Sequence, residues 1–442
     1  MNANAVSRTR SCARRCVAIA LGAGVVLAFG GFASVDAQAA TAKKLYVSQT
    51  GLDSGTCTSA NPCATVTYAL TKAPSGAIIE VSGTIDDNVT ISSPVTITAW
   101  PGGPAGSPAV LDGTETANDP VVSVGVGVLG VTLHDLTIEN GVLGIQNDQG
   151  TLTLTDSTVS GNATEGEPYA GIWNYGGTMK IIDSTVAKNS GDGVGAGIYN
   201  VGTMTVIAST ISGNTGGGIY SGQDVTVTLG ATIVAANRGV NCLAYDAGSL
   251  SSAGYNLTND KTGAACGFTA ATDSVNKNPR VGPLANNRGP TKTMLPAPTS
   301  AAADVIPNPK SLRGVAICPG TDQRGFARPG AGEKRCTIGA VEVGVTKPTK
   351  TSVTVIRTKV TAGTRVVYLV VVTPRSGTGT PTGTISFTIA SKILCKAVLS
   401  GGVAACGATS APVGTHKVKG TYSGGDGYAG SSGTATLTVT KA

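Results

Sequence analysis

Between residues 131 and 241 one pattern recurs: an alternating apolar and polar run, Thr-Val or Thr-Ile, a polar turn, then Gly-Ile-aromatic-Asn or a close variant. The copies read VTLHDLTIENG with GIQN, TLTLTDSTVSGN with GIWN, TMKIIDSTVAKN with GIYN, TMTVIASTISGN with GIYS, and DVTVTLGATIVAAN with GVNC. Anchored on Ile138, Val159, Val186, Ile211 and Ile233, the steps are 21, 27, 25 and 22 residues. A period in the twenties built on strand residues and turns marks a solenoid, whose single coil cannot bury its apolar face alone. Leucine-rich repeats share the period but need a Leu consensus, whereas Val, Ile, Thr and Gly favour pleated strands and tight turns. Stacked parallel β-coils are the expected fold.

Alternation assigns the faces. In Thr151-Leu152-Thr153-Leu154 and Thr203-Met204-Thr205-Val206 the apolar side chains point into the bore and the threonines outward. Equivalent residues on successive coils lie about 4.8 Å apart, so Asn162, Asn189 and Asn214 predict a side-chain ladder that satisfies turn backbone. Asn140 and Asn237 fall one residue out of phase on these anchors, so the ladder is expected to stop before each.

Residues 1–39 read as an export signal: Arg8, Arg10, Arg14 and Arg15, the apolar stretch Val17 to Phe32, then Ala37-Gln38-Ala39 before a mature start at Ala40. Glycines interrupt that stretch, which disfavours an uncleaved anchor, and no second apolar span follows, so no transmembrane segment is expected in the mature chain. Cys12 and Cys16 leave with the signal. The remaining cysteines form four close pairs, Cys57 with Cys63, Cys242 with Cys266, Cys318 with Cys336, and Cys395 with Cys406. An even count in an exported chain argues for disulfides, with local pairing the expectation. Zinc is disfavoured, because no C-x-x-C spacing exists and the histidines are His134 and His416 alone.

Charge divides the chain. Residues 40–343 hold 17 basic against 23 acidic residues, whereas residues 344–442 hold 11 basic residues against Asp426 alone. A net of −6 beside a net of +10 implies different partners for the two halves. The basic part suits anionic polymers such as wall teichoic acids, acidic glycans or anionic lipid surfaces, or else serves solubility. Nucleic acid is not an expected partner.

Near the start, Val66, Ala69, Leu70 and Ala73 have helical spacing between Pro62 and Pro74, predicting a short helix that plugs the open bore. Leu45-Tyr46-Val47-Ser48, Gly51-x-Asp53, Cys57, Pro62-Cys63-Ala64-Thr65 and Asn88-Val89-Thr90-Ile91 resemble the opening of secreted right-handed parallel β-helix proteins of the pectin-lyase-like superfamily. Farther on, Asn287-Arg288-Gly289-Pro290-Thr291, Asp322-Gln323-Arg324-Gly325-Phe326-Ala327-Arg328-Pro329 and Cys336-Thr337-Ile338-Gly339-Ala340-Val341-Glu342 resemble the closing segment of bacterial surface β-helix proteins of the choice-of-anchor Q type. Arg324 and Arg328 are expected to bond carbonyls of the last coil rather than a ligand. The β-helix domain with its cap is thus assigned to residues 40–343.

A stiff polar linker, 344–350, precedes an all-β unit at 351–442 with six strand-like runs. Pro381-x-Gly383-Thr384-Ile385-x-Phe387, Pro412-x-Gly414-x-His416 and Tyr422-x-Gly424-Gly425-Asp426-x-Tyr428 resemble the bacterial Ig-like repeat domains of surface proteins. His416 reads as packing, and Cys395 with Cys406 would staple neighbouring strands across Ser400-Gly401-Gly402. The fold class is therefore all-β, a right-handed parallel β-helix followed by an Ig-like β-sandwich.

Enzymes of the β-helix superfamily cleave acidic polysaccharides, yet neither the arginine base of pectate lyases nor the Gly-His-Gly and Arg-Ile-Lys motifs of polygalacturonases occur. Two constellations remain. Asp135, Asp156 and Asp183 share one place on three coils, where they would repel, raise one another's pKa, share a calcium ion, serve as a glycosidase pair, or simply cap turn N–H groups, the favoured reading. His134 adjoins Asp135, but strand neighbours face opposite ways, so no dyad is expected. Trp173, Tyr199 and Tyr220 follow inward isoleucines and project outward in a row, either a sugar-stacking platform or a cluster covered by the loop 163–168. The expected protein is a monomeric, secreted or cell-surface binder of a polysaccharide or cell-wall polymer. It is non-catalytic and needs no cofactor, with calcium reserved for the carboxylate column. A polysaccharide lyase or glycoside hydrolase is the alternative, and a structural surface component the third.

Overall fold

The computed structural model describes residues 42–441 except 105–107, 114–118, 331–332, 345–347, 376–378, 391 and 426–427. The expected export signal, 1–39, lies outside the described residues. The chain forms an all-β parallel solenoid of about seven turns and a C-terminal β-sandwich. Among the described residues no helix is long and apolar enough to cross a membrane.

Each coil contributes three strands. Sheet 1 contains Val131–His134, Thr151–Thr155, Thr178–Ile182, Thr203–Ile207 and Thr226–Gly230; sheet 2 contains Thr137–Glu139, Thr158–Ser160, Thr185–Ala187, Thr210–Ser212 and Ile233–Ala235. Sheet 3 contains Ile145–Asp148, Ile172–Tyr175, Ile198–Asn200, Ile219–Ser221 and Cys242–Ala244. All pair in parallel, with like residues stacked, such as Leu154 on Ile181 and Ile172 on Ile198. The inward column Leu133, Leu154, Ile181, Val206 and Leu229 is fully buried. Each such side chain contributes about 1.5–3 kcal/mol, which only stacking makes available to a coil.

At the N-terminal end a helix, Val66–Leu70, buries Val66 and Ala69 and is capped by the Thr65 hydroxyl accepting from the Tyr68 N–H (3.1 Å). The expected plug is thus present. All four disulfides follow the local pairing: 57–63, 242–266, 318–336 and 395–406.

The Asn ladder is longer than expected at one end. Asn162 Nδ2 donates to Asn189 Oδ1 (2.9 Å), Asn189 to Asn214 (3.0 Å), Asn214 to Asn237 (2.9 Å). Asn237 belongs because Ile211 pairs with Val234, not Ile233, so the true step is one residue longer. Asn140 stays out and bonds Asp112 instead (2.9 Å). A second ladder, unforeseen, joins Asn147 to Asn174 and Asn174 to Asn200, both at 2.7 Å.

Residues 281–343 do not end on the last coil, as the position of the closing motif predicts. They reach back to the Thr158 coil at Lys292 and then advance along the outside of sheet 2 to the Ala231 coil at Gly339. Thr158 Oγ1 donates to the Lys292 carbonyl (2.6 Å), Thr185 Oγ1 to Gln323 (2.6 Å), the Ala340 N–H to Thr210 Oγ1 (3.1 Å), and the Gly339 N–H to the Ala231 carbonyl (2.9 Å). That is why the outward threonines of sheet 2 are buried rather than solvated.

The sandwich packs a three-stranded sheet (Thr349–Val355, Val366–Pro374, Val403–Ala408) on a five-stranded one. The five strands are Lys359–Thr361, Ser431–Thr440, Gly414–Tyr422, Thr384–Ile389 and Lys392–Val398, in that spatial order. Thr349 is already in a strand, inside the expected linker. Tyr368, Phe387, Tyr422 and Leu437 fill the core. Cys395 and Cys406 lie on strands of opposite sheets, so their bridge ties the two layers together rather than neighbouring strands of one sheet. His416 lies with its Nε2 3.2 Å from the Val413 carbonyl.

Candidate functional site

The three aspartates occupy the bend from sheet 1 into sheet 2. Asp135, Asp156 and Asp183 all have left-handed backbone, φ 55°, 50° and 43°. Asp tolerates that region because its short side chain bonds locally. The next two coils put Ala208 (φ 48°) and Ala231 (φ 51°) at the same bend, so the turn itself does not require a carboxylate.

Leaving the strand reorients Asp135. Its Oδ2 lies 3.3 Å from His134 Nδ1, while His134 Nε2 lies 3.2 Å from Asp156 Oδ2 on the next coil. The alternation rule therefore failed here: His134 and Asp135 do meet, because only one of them is in a strand. Thr98 Oγ1 sits 3.0 Å from His134 Nδ1 on the preceding coil. The hydrogen bond to Asp156 raises the His134 pKa against the opposing effect of burial. Burial, with Asp156 nearby, pushes the Asp135 carboxyl up to about 6, His134 pulling the other way. The three ligand atoms lie within 4.8 Å of one another. One imidazole and two carboxylates suit a transition-metal dication better than calcium, which prefers an all-oxygen shell.

Asp183, the next carboxylate in the column, faces Arg328 instead of His134. Arg328 Nη2 approaches its Oδ1 at 3.2 Å and also donates to the Gly339 carbonyl (2.7 Å), with Nη1 donating to Thr337 (3.2 Å). Burial pushes the Asp183 carboxyl up to about 8, with Arg328 opposing. Arg324 pairs with buried Asp322 (2.7 Å) and donates to the Glu342 carbonyl (2.6 Å). Both arginines hold the closing segment's own carbonyls, not those of the last coil, and both are buried.

The aromatic row lies on sheet 3, where Trp173 pairs in register with Tyr199 and Tyr199 with Tyr220. Ile172, Ile198 and Ile219 point inward, and the rings are half-buried on the outside. Strand spacing turns the rings onto one another: Tyr199 and Tyr220 are 4.4 Å apart at 18°. Tyr169, at the end of the crossing loop, stacks on Trp173 at 4.4 Å and 7°. Burial pushes the Tyr220 hydroxyl up to about 12, helped by Tyr199. Most ring faces of the central three are thus taken by neighbours. Two further rings have more open surface: Tyr175, 48% exposed and 5.4 Å from Trp173, and Tyr245, 58% exposed and 6.5 Å from Tyr220. Sequence reasoning missed Tyr169, Tyr175 and Tyr245, since none follows an inward isoleucine; the concentration of scarce aromatics in these coils was the available signal. Exposed carboxylates flank the strip, Glu165, Glu167 and Asp192 in the loops before it, Asp224 and Asp246 in the turns after it.

The sandwich has a recognisable relative. Residues 353–440 match the bacterial Ig-like domain (group 3). This match covers the C-terminal sandwich; no curated protein matches the chain. The Ig-like unit and the parallel β-solenoid together are compatible with a surface protein of adhesion type.

Proposed function

We propose that this is an exported, monomeric surface protein that binds a polysaccharide or cell-wall polymer along sheet 3 without cleaving it. The solenoid would be of the pectin-lyase-like, choice-of-anchor Q type. The observation carrying this reading is the continuous strip Tyr169, Trp173, Tyr175, Tyr199, Tyr220 and Tyr245, which gathers six rings on one outer face in a chain poor in aromatics. Tyr175 and Tyr245 supply open ring surface for the C–H face of a sugar, with Trp173 beside Tyr175 and Tyr220 beside Tyr245. The flanking carboxylates repel polyuronates and favour neutral or amine-bearing glycans. The four disulfides suit an extracellular setting.

A polysaccharide-cleaving reading rests on His134 between Asp135 and Asp156, a half-open group of two acids and a base with one carboxyl raised toward neutrality. Retention on immobilised glycans and reducing-end release, with and without calcium, separate the two. Retention without release, lost in Tyr175→Ala/Tyr245→Ala and Trp173→Ala, supports binding. Release abolished by Asp156→Ala would instead establish an enzyme. That variant should fold, because Ala208 and Ala231 hold the same bend.

A further inference from the structure

The five-stranded sheet of the Ig-like unit has one face in the core and one in solvent. Along Gly414–Tyr422 the alternation is sharp: Val418, Gly420 and Tyr422 are buried, while Thr415, Lys417, Lys419 and Thr421 are exposed. Register carries the outward set across the sheet. Lys419 pairs with Thr388 on one side and Thr434 on the other, and Lys417 pairs with Thr436. Lys396 pairs with Ser386, and Lys359 with Thr438. The result is a flat face of four exposed lysines set among threonine and serine hydroxyls.

Lysines on edge strands are an ordinary guard against edge-to-edge pairing, which accounts for Lys359 and Lys396. It does not account for Lys417 and Lys419. Their strand is the middle one of five, and as residues i and i+2 of one strand their stems stand only about 7 Å apart. A surface selected for solubility alone intersperses both signs. Residues 344–442 contain one carboxylate, Asp426, against 11 basic residues.

We propose that this face docks a phosphodiester polymer of the polyol-phosphate kind. All four cations are Lys rather than Arg, hence point charges with rotatable donors and no planar fork demanding one orientation. That suits a flexible chain of phosphates whose repeats cannot all align, with adjacent hydroxyls donating to the non-bridging oxygens. The aromatic rings Phe387 and Tyr422 point into the core, so the outer face offers none on which bases could stack, unlike single-stranded nucleic-acid sites. This site is independent of the aromatic strip, so either can fail without the other.

The test measures binding of the full mature protein to purified polyglycerol phosphate. Four phosphate contacts at a log–log slope of about −0.7 each imply an affinity loss on the order of fiftyfold for a fourfold rise in salt. Lys396→Gln/Lys417→Gln/Lys419→Gln should weaken binding more than tenfold and flatten that dependence, with an unchanged melting temperature. Lys350→Gln/Arg365→Gln/Lys441→Gln removes the same charge off this face and should cost less than threefold. Equal losses in the two variants would overturn the proposal in favour of diffuse charge. So would binding to phosphatidylglycerol vesicles but not to the polymer, or no polymer binding together with salt-sensitive self-association, which would make the acidic solenoid of a second copy the partner.

Discussion

Asp156 and Asp183 are the same residue of the same motif, Asp-Ser-Thr, on adjacent coils with nearly the same backbone, yet they face different partners. Asp156 shares His134, whereas Asp183 turns a buried Oδ1 toward Arg328 of the closing segment. The difference comes from a segment more than a hundred residues downstream. In a solenoid the coil sets where a side chain stands, and whatever lies across the coil sets its chemistry.

The strongest way to break this contrast is to remove the cover's charge. Arg328→Met should lower stability by roughly 3 kcal/mol, because it orphans the buried Thr337 and Gly339 carbonyls, read from the denaturant midpoint. If Arg328→Met melts like the parent, the closing segment is not held this way.

Next in size is a pH effect. A carboxyl raised in the folded state favours folding while protonated, so its contribution is full below the unfolded pKa near 4 and fades as pH rises toward about 8. Asp183→Asn should flatten the decline in melting temperature between about pH 4 and pH 8. An undiminished slope would mean that Asp183 is charged in the fold.

The smallest effect should come from the open end. Asp156→Ala should cost at most about 1 kcal/mol, since the pair with His134 is partly solvated. His134 is raised, so its contribution is complete below its unfolded pKa near 6.5 and is lost as pH climbs through the folded value. Melting curves at pH 5.5 and pH 8.5 would show the cost concentrated at the lower pH; a larger cost at the higher one would contradict the assignment.

What was legible followed from periodicity. The coils, their facing, the plug helix, the local disulfides and the outward aromatic row all follow from residues near one another in the chain. Three errors share a cause. Asn237 was misphased because Ile233-Val234-Ala235 gives no cue to which apolar residue takes the anchor position. The His134–Asp135 contact was missed because alternation says nothing once φ turns positive. The path of residues 281–343 depends on Thr158, Thr185 and Thr210 meeting partners over a hundred positions away, and threonine is equally at home facing water. For the same reason the division of the carboxylate column between His134 and Arg328 was not legible.

The Asn ladders have a direction. Asn162, Asn189 and Asn214 each receive the preceding coil's amide or peptide N–H on Oδ1 and send Nδ2 onward, with backbone donors such as the Asn189 N–H to Asn214 Oδ1 (3.1 Å) fixing which atom is oxygen. The chain continues through Asn237 and Asn241 and terminates on the carboxylate of Asp260 (2.7 Å), a group that when ionised accepts and cannot pass a proton donor on. A coil carrying its own Asn can be spliced in or out between Asn162 and Asn237 without breaking that sequence of donors. Nothing can be appended beyond Asp260 on the same terms. The molecule's length is thus adjustable in whole coils from the middle, with both ends fixed, so lineages of such proteins should differ by internal duplication rather than by growth at the tip.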